Sequence, residues 1–123
     1  MFSKKRILSV EDDPSTYALM AWILKGYQLT RAATKADALR LVANEEFDLF
    51  ILDNYLPDGF GSDVSSFIRL CGQRAPIIFV TADNSLNEIH LKMFGAQRLV
   101  RKGLGFCDEL KATISDLLEK AGK

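Results

Sequence analysis

Two runs of four residues, Leu49-Phe50-Ile51-Leu52 and Ile77-Ile78-Phe79-Val80, are apolar at every position, and each stops at a polar residue, Asp53 and Thr81. A strand that is apolar on both faces has to be covered on both faces, so these runs call for a parallel sheet enclosed between two layers of helices. The segment between them supplies one such helix. Val64, Phe67, Ile68 and Cys71 fall at i, i+3, i+4 and i+7, the spacing of a buried helical stripe.

The same alternation extends along the whole chain. Arg6 to Val10 reads as the first strand and runs into Glu11-Asp12-Asp13. Pro14 then opens a helix in its first turn, where a missing N–H costs nothing. That helix reaches about Lys25, with Gly26 as a left-handed cap and Trp22 packing beside Tyr17, Met20 and Ile23. Tyr27 to Ala32 is the second strand, and Ala36, Leu39, Val42 and Ala43 repeat at helical spacing up to Glu45. Leu56-Pro57-Asp58-Gly59 reads as a turn in which Gly59 or Gly61 takes a positive φ. A helix with Leu86, Ile89 and Met93 on one face follows the fourth strand. Leu99-Val100 form a short fifth strand ending near Lys102, and the last helix carries Phe106, Leu110, Ile114, Leu117 and Leu118 on one stripe. Five strand–helix pairs in order predict an α/β fold, a three-layer doubly wound (βα)5 arrangement with a five-stranded parallel sheet and right-handed crossovers.

The 123 residues suffice for a single domain, taken as residues 1–123. Sixteen Lys+Arg balance sixteen Asp+Glu, which removes the cationic field that direct nucleic-acid binding or a membrane surface would require. No apolar run approaches the roughly 20 residues of a membrane span. The start Met1-Phe2-Ser3-Lys4-Lys5-Arg6 is basic, but the apolar stretch after it stops at Glu11 without a cleavage-site pattern. Lys4-Lys5-Arg6 is read as a solvated strand start. Cys71 and Cys107 fit no Cys-x-x-Cys or zinc spacing and are read as free thiols. A cytoplasmic location is expected.

In an open parallel sheet, ligands sit beyond the carboxyl ends of the strands. Glu11 and Asp12 follow the first strand, Asp53 the third, Thr81 the fourth and Lys102 the fifth, so dispersed residues converge on one rim. Carboxylates gathered at one edge repel one another unless a cation neutralises them. Hard oxygen ligands in a half-open site suit Mg²⁺, with Mn²⁺ able to replace it. A carboxylate, a metal, a lysine and a hydroxyl donor make up a phosphoryl-transfer set, with Asp53 as the nucleophile held rigidly at the end of an apolar strand. Asp12 would bind the metal directly, Glu11 directly or through water, and the backbone carbonyl of Tyr55 would complete the coordination. Asp13 is left as an acid at the helix N-terminus, where it complements the macrodipole.

Ile7 to Pro14, Ile51 to Gly59 (Ile-Leu-Asp-Asn-Tyr-Leu-Pro-Asp-Gly), Val80-Thr81-Ala82 and Lys102 resemble the receiver domain of two-component response regulators over nearly the whole chain. The resemblance implies a flavodoxin-like fold with strand order 2-1-3-4-5. It implies that Asp53 accepts a phosphoryl group from a histidine kinase or histidine phosphotransfer protein, with Mg²⁺ required, and then switches binding of a downstream protein target. By the same resemblance, Glu11 and Asp12 are the acidic pair, Thr81 the switch hydroxyl and Lys102 the phosphate-binding lysine, and the backbone amides of Asn54 and Ala82 meet the phosphoryl group. Two positions depart from the family. Lys102 is followed by Gly103 where Lys-Pro with a cis peptide is usual, and Leu99 stands where a switch Tyr or Phe is usual. Readout is therefore expected through loop and helix shifts, on the surface of the fourth helix, fifth strand and fifth helix, with Phe94 and Leu104 as candidates.

Each signal also has a plainer reading: a solvated acidic turn, a helix cap, a surface lysine. His90 is read as a surface histidine, since no partner motif surrounds it. The leading expectation is a signalling switch that turns over no separate substrate. A small phosphatase would want a general acid two residues beyond Asp53, where Tyr55 stands. A flavin site would want a phosphate loop where the acidic cluster lies. The alternative kept open is a degenerate receiver acting as an unphosphorylated interaction module. The chain reads either as a stand-alone receiver or as one belonging to a larger regulator.

Overall fold

The computed structural model describes residues 4–121. The chain start Met1-Phe2-Ser3 and the last two residues, parts of the expected 1–123 domain, lie outside them. The elements are β1 (Arg6–Val10), α1 (Pro14–Ile23), β2 (Gln28–Ala32), α2 (Lys35–Asn44), β3 (Leu49–Asp53), β4 (Tyr55–Leu56), β5 (Gly59–Phe60), α3 (Gly61–Leu70), β6 (Ile77–Thr81), α4 (Glu88–Phe94), β7 (Arg98–Arg101) and α5 (Phe106–Ala121). Five strands form one sheet in the order β2-β1-β3-β6-β7, every pairing parallel. With the hairpin pair β4–β5 set aside, this is the expected 2-1-3-4-5 order of a flavodoxin-like fold.

The apolar runs behave as their composition requires. Every residue of β3 and of β6 is buried. Alternate side chains feed two separate cores. Leu8, Val10, Phe50, Leu52 and Phe79 pack with Ala38 and Val42 of α2, Val64 and Ile68 of α3 and Leu91 of α4. Ile7, Leu49, Ile51, Ile78 and Val80 pack with Met20 of α1 and with Leu110, Ile114 and Leu118 of α5. The period of two along the strands thus assigns each residue to one helical layer or the other. Of the expected stripe on α5, Phe106, Leu110, Ile114 and Leu118 are buried and Leu117 is half-buried.

Helix starts follow local chemistry. Asp13 caps α1, its Oδ1 accepting the Ser15 amide at 3.2 Å, and Pro14 occupies the first turn. Thr34 Oγ1 accepts the Asp37 amide at 3.1 Å to cap α2. A second acceptor was not foreseen: Asp58, in the β4–β5 turn, takes the Lys35 and Ala36 amides at 2.7 and 3.0 Å. These two amide bonds hold Asp58 below its ordinary value.

Several local expectations are corrected. Helix α1 ends at Ile23, and Gly26 is not left-handed, because Leu24 closes the helix by donating its amide to Met20. Trp22 is 69% exposed and lies against Lys25 Nζ, on the solvent side of α1. Cys71 is exposed, because it closes α3 rather than extending its stripe, and Ile89 and Met93 are exposed on α4. Helix α4 begins only at Glu88, after Leu86, so its phase is set by Leu91, and Phe94 packs its ring on Phe79. Neither Gly59 nor Gly61 has a positive φ. Gly61 is needed for another reason: a Cβ there would lie 2.2 Å from the Asp53 carbonyl oxygen. Among the described residues no peptide is cis, so Lys102–Gly103 is trans.

Candidate functional site

Sheet register brings the rim residues together. Val10 pairs with Leu52 and Asp53 with Val80, so Glu11, Asp53 and Thr81 stand side by side where β1, β3 and β6 end. Thr81 pairs with Arg101, and the next residue, Lys102, donates its amide to the Thr81 carbonyl at 2.9 Å. Strand β3 can end on a carboxylate because its preceding residues are buried on both faces and fix its path.

Lys102 Nζ lies 3.0 Å from Asp53 Oδ2 and 3.1 Å from Glu11 Oε1. Glu11 is fully buried, Asp53 is 7% exposed and Asp12 is open to solvent. One oxygen from each of these three carboxylates lies within 4.8 Å of the others. Glu11 Oε2 accepts the Asp13 amide at 3.2 Å, while Oε1 is buried with only the Lys102 ammonium against it. Burial, followed by the Asp53 charge, pushes Glu11 up to about 7. Burial pulls the Lys102 ammonium down, but its hydrogen bond to Asp53 and the charges of Asp53 and Glu11 outweigh that and hold it above its ordinary value.

Three carboxylates with an oxygen each within 4.8 Å of the others, two of them sharing the single Lys102 ammonium, make an environment that a hard divalent cation satisfies, so the residues fit Mg²⁺. The cleft, about 520 Å³, is lined by these acids together with Asp13, Tyr55, Thr81, Ala82, Asp83 and Lys102. Thr81 Oγ1 accepts the Asp83 amide at 2.9 Å, leaving the hydroxyl proton available to another acceptor. Asn54 is buried; its carbonyl accepts the Gly61 amide at 2.8 Å. The Tyr55 amide donates to Asp53 Oδ1 at 3.3 Å.

Two residues near the site, Arg31 and Asp83, and the side chain of Tyr55 were not singled out from sequence. Arg31 donates from Nε and Nη2 to the carbonyls of Glu11 and Asp12, 3.1 Å in each case, fixing the acidic loop. The Tyr55 hydroxyl donates to Asp83 Oδ2 at 2.6 Å, bridging the hairpin to the loop after β6. That bond and those from Ser85 hold Asp83 at about 2, while the same bond raises the Tyr55 phenol. No motif announces these contacts, since each ends on a loop distant in sequence, Arg31 of β2 on the one after β1 and Tyr55 of β4 on the one after β6. Of the residues expected elsewhere, Leu104 is fully exposed on the loop before α5, and His90 Nδ1 accepts the Asn87 amide at 3.1 Å with its ring stacked on Phe94.

The response regulator receiver domain matches residues 7–115. The chain belongs to this family. The receiver is 33% identical over 120 residues to the transcriptional regulatory protein PcoR of Escherichia coli, covering 95% of this chain and 53% of PcoR. It thus spans about half the length of that relative. A CheY-like response regulator receiver domain protein from Methanospirillum hungatei superposes with a TM-score of 0.84 at 30% identity, covering 98% of each chain. The response regulator TrrA of Thermotoga maritima, solved with Mg²⁺ and BeF, superposes with a TM-score of 0.82 at 34% identity, covering 93% of this receiver and 99% of TrrA. The receiver is a phosphorelay signalling domain.

Proposed function

We propose that Asp53 is the residue that accepts the phosphoryl group, and that Glu11, Asp12, Thr81 and Lys102 serve the transfer. The observation that carries this reading is the Lys102 ammonium, 3.0 Å from Asp53 and 3.1 Å from Glu11, in a cleft where three carboxylate oxygens lie within 4.8 Å of one another. An Asp53 oxygen attacks the phosphorus of a phosphohistidine. The new O–P bond forms as the P–N bond breaks, and the electron pair of that bond leaves on the imidazole nitrogen, which takes up a proton. Lys102 remains protonated and balances charge on the phosphoryl oxygens. The Thr81 hydroxyl and the backbone amides of Asn54 and Ala82 donate to the same oxygens.

Mg²⁺, or Mn²⁺ in its place, would be held by Glu11, Asp12, Asp53 and the Tyr55 carbonyl, and would supply further neutralisation of the developing charge. The donor is a histidine kinase or histidine phosphotransfer protein, and the output is altered binding of a downstream protein target. The domain turns over no separate substrate beyond its own phosphorylation and dephosphorylation. We place this single domain, residues 1–123, in the cytoplasm.

The test is the intact mass after incubation with acetyl phosphate, with and without Mg²⁺, for wild type and Asp53→Asn. The expected result is a metal-dependent gain of one phosphoryl group in wild type alone. No gain, or an equal gain in the variant, would overturn the reading.

A further inference from the structure

Consecutive residues at the end of β7 serve different parts of the site. Lys102 reaches the acids, whereas Arg101 sends its guanidinium to the loop that follows β6. Nη1 donates to the Asp83 carbonyl and Nη2 to the Leu86 carbonyl. Arg101 is also the register partner of Thr81 across the β6–β7 ladder. Asp83 thus stands between the two. Its carbonyl is held by Arg101, and its amide donates to Thr81 Oγ1 at 2.9 Å. Its carboxylate is tied separately, to the Tyr55 hydroxyl at 2.6 Å and to the Ser85 amide and hydroxyl at 2.8 and 2.7 Å.

The consequence is directional. A threonine hydroxyl is one donor and one acceptor group on a freely rotating bond. With one of its two lone pairs taken by the Asp83 amide, the rotor is biased, and its proton is left to meet an oxygen in the cleft that Thr81 lines. That amide can bias the rotor only while the Asp83 peptide is held still. No strand ladder holds its loop; Tyr55 and Ser85 tie the Asp83 side chain, and the guanidinium fork restrains the backbone, because a planar fork can satisfy two carbonyls at once where an ammonium is a single point charge. Leu99 and Arg101 both line an open cleft of about 550 Å³ between α4 and β7.

We propose that Arg101 is a positioning residue for phosphoryl transfer: by gripping the Asp83 carbonyl it fixes the amide that aims the Thr81 hydroxyl at the phosphoryl oxygens on Asp53. The proposal rests on the Asp53 reading and adds to it a residue that touches no reacting atom.

The experiment is a double-substitution cycle on the rate of phosphorylation by acetyl phosphate with Mg²⁺, using wild type, Arg101→Met, Arg101→Lys, Thr81→Ala and the Arg101→Met/Thr81→Ala pair. Loss of one preoriented donor predicts that Arg101→Met slows the reaction about 10-fold and Arg101→Lys about 3-fold. In the Thr81→Ala background, Arg101→Met should change the rate less than about 2-fold, because the two residues act through one hydroxyl. Amide exchange of Asp83, followed by NMR, should be about 5-fold faster in Arg101→Met while core amides of β3 keep their protection. Should Arg101→Met fail to fold, Arg101→Lys carries the same cycle. Independent, multiplicative effects in the double variant, or an unchanged rate in Arg101→Met, would overturn the proposal alone. A wild type that takes up no phosphoryl group would overturn the Asp53 reading, and the proposal with it.

Discussion

Glu11 is buried with its charge opposed by Asp53 and matched in part by Lys102, which makes it a cost to the metal-free fold as well as a place for a cation. Its carboxyl is raised from 4.5 to about 7. The folded state therefore binds a proton that the unfolded chain has released, and metal-free stability should rise as pH falls from about 7 toward 4.5. Glu11→Gln keeps an acceptor for the Asp13 amide and removes that slope. Its melting temperature at pH 8 without metal should exceed wild type by about 3 °C, and added Mg²⁺ should no longer raise it. Thermal melts across pH 5 to 8, with and without Mg²⁺, check both points. Asp83 has the opposite sign. Held at about 2 by Tyr55 and Ser85, it stabilises the fold above the ordinary carboxylate value, and that contribution is lost as pH falls toward 2. Urea titrations from pH 5 to 2.5 should show a shallower acid decline for Asp83→Asn than for wild type. At this scale the meeting of Glu11, Asp12, Asp53, Thr81 and Lys102 was legible because each follows the end of a strand, and strand ends of a parallel sheet share a rim. Arg31, Asp83 and Arg101 were not, because their partners are loop carbonyls and a hydroxyl that no sequence pattern marks.

Among the elements, strands were easier to read than helix phases. Runs apolar at every position leave little choice, so β3 and β6 lie where the sequence places them. Helix α4 has only 7 residues, too short to average a period, and its late start at Glu88 turns Ile89 and Met93 outward and Leu91 inward. Leu91→Ala should therefore cost about 2–4 kcal/mol and Ile89→Ser less than about 0.5 kcal/mol, as measured by urea denaturation. The turn before α3 was foreseen, but not the hairpin it closes or its cap on α2, since both depend on where Asp58 falls against another helix. Gly61 was marked for a positive φ when what it lacks is a side chain. With a Cβ only 2.2 Å from the Asp53 carbonyl oxygen, Gly61→Ala should cost about 3 kcal/mol and displace Asp53 itself, lowering the rate of phosphorylation as well as stability.

For the molecule as a whole, two-sided burial and right-handed crossovers called for a parallel sheet between helical layers, while its strand order was what the resemblance to receiver domains implied. That arrangement gives each strand end a fixed neighbour, so a nucleophile, its counter-charges and a hydroxyl meet without any contiguous motif. The central claim is that Asp53 alone of the clustered acids carries the phosphoryl group. Borohydride reduces an acyl phosphate to an alcohol but leaves a free carboxylate intact, so the acceptor can be read as homoserine in a peptide map. After treatment with acetyl phosphate and Mg²⁺, homoserine is expected at position 53, with Glu11, Asp12 and Asp13 unaltered. Reduction at any of those three with Asp53 intact would contradict it.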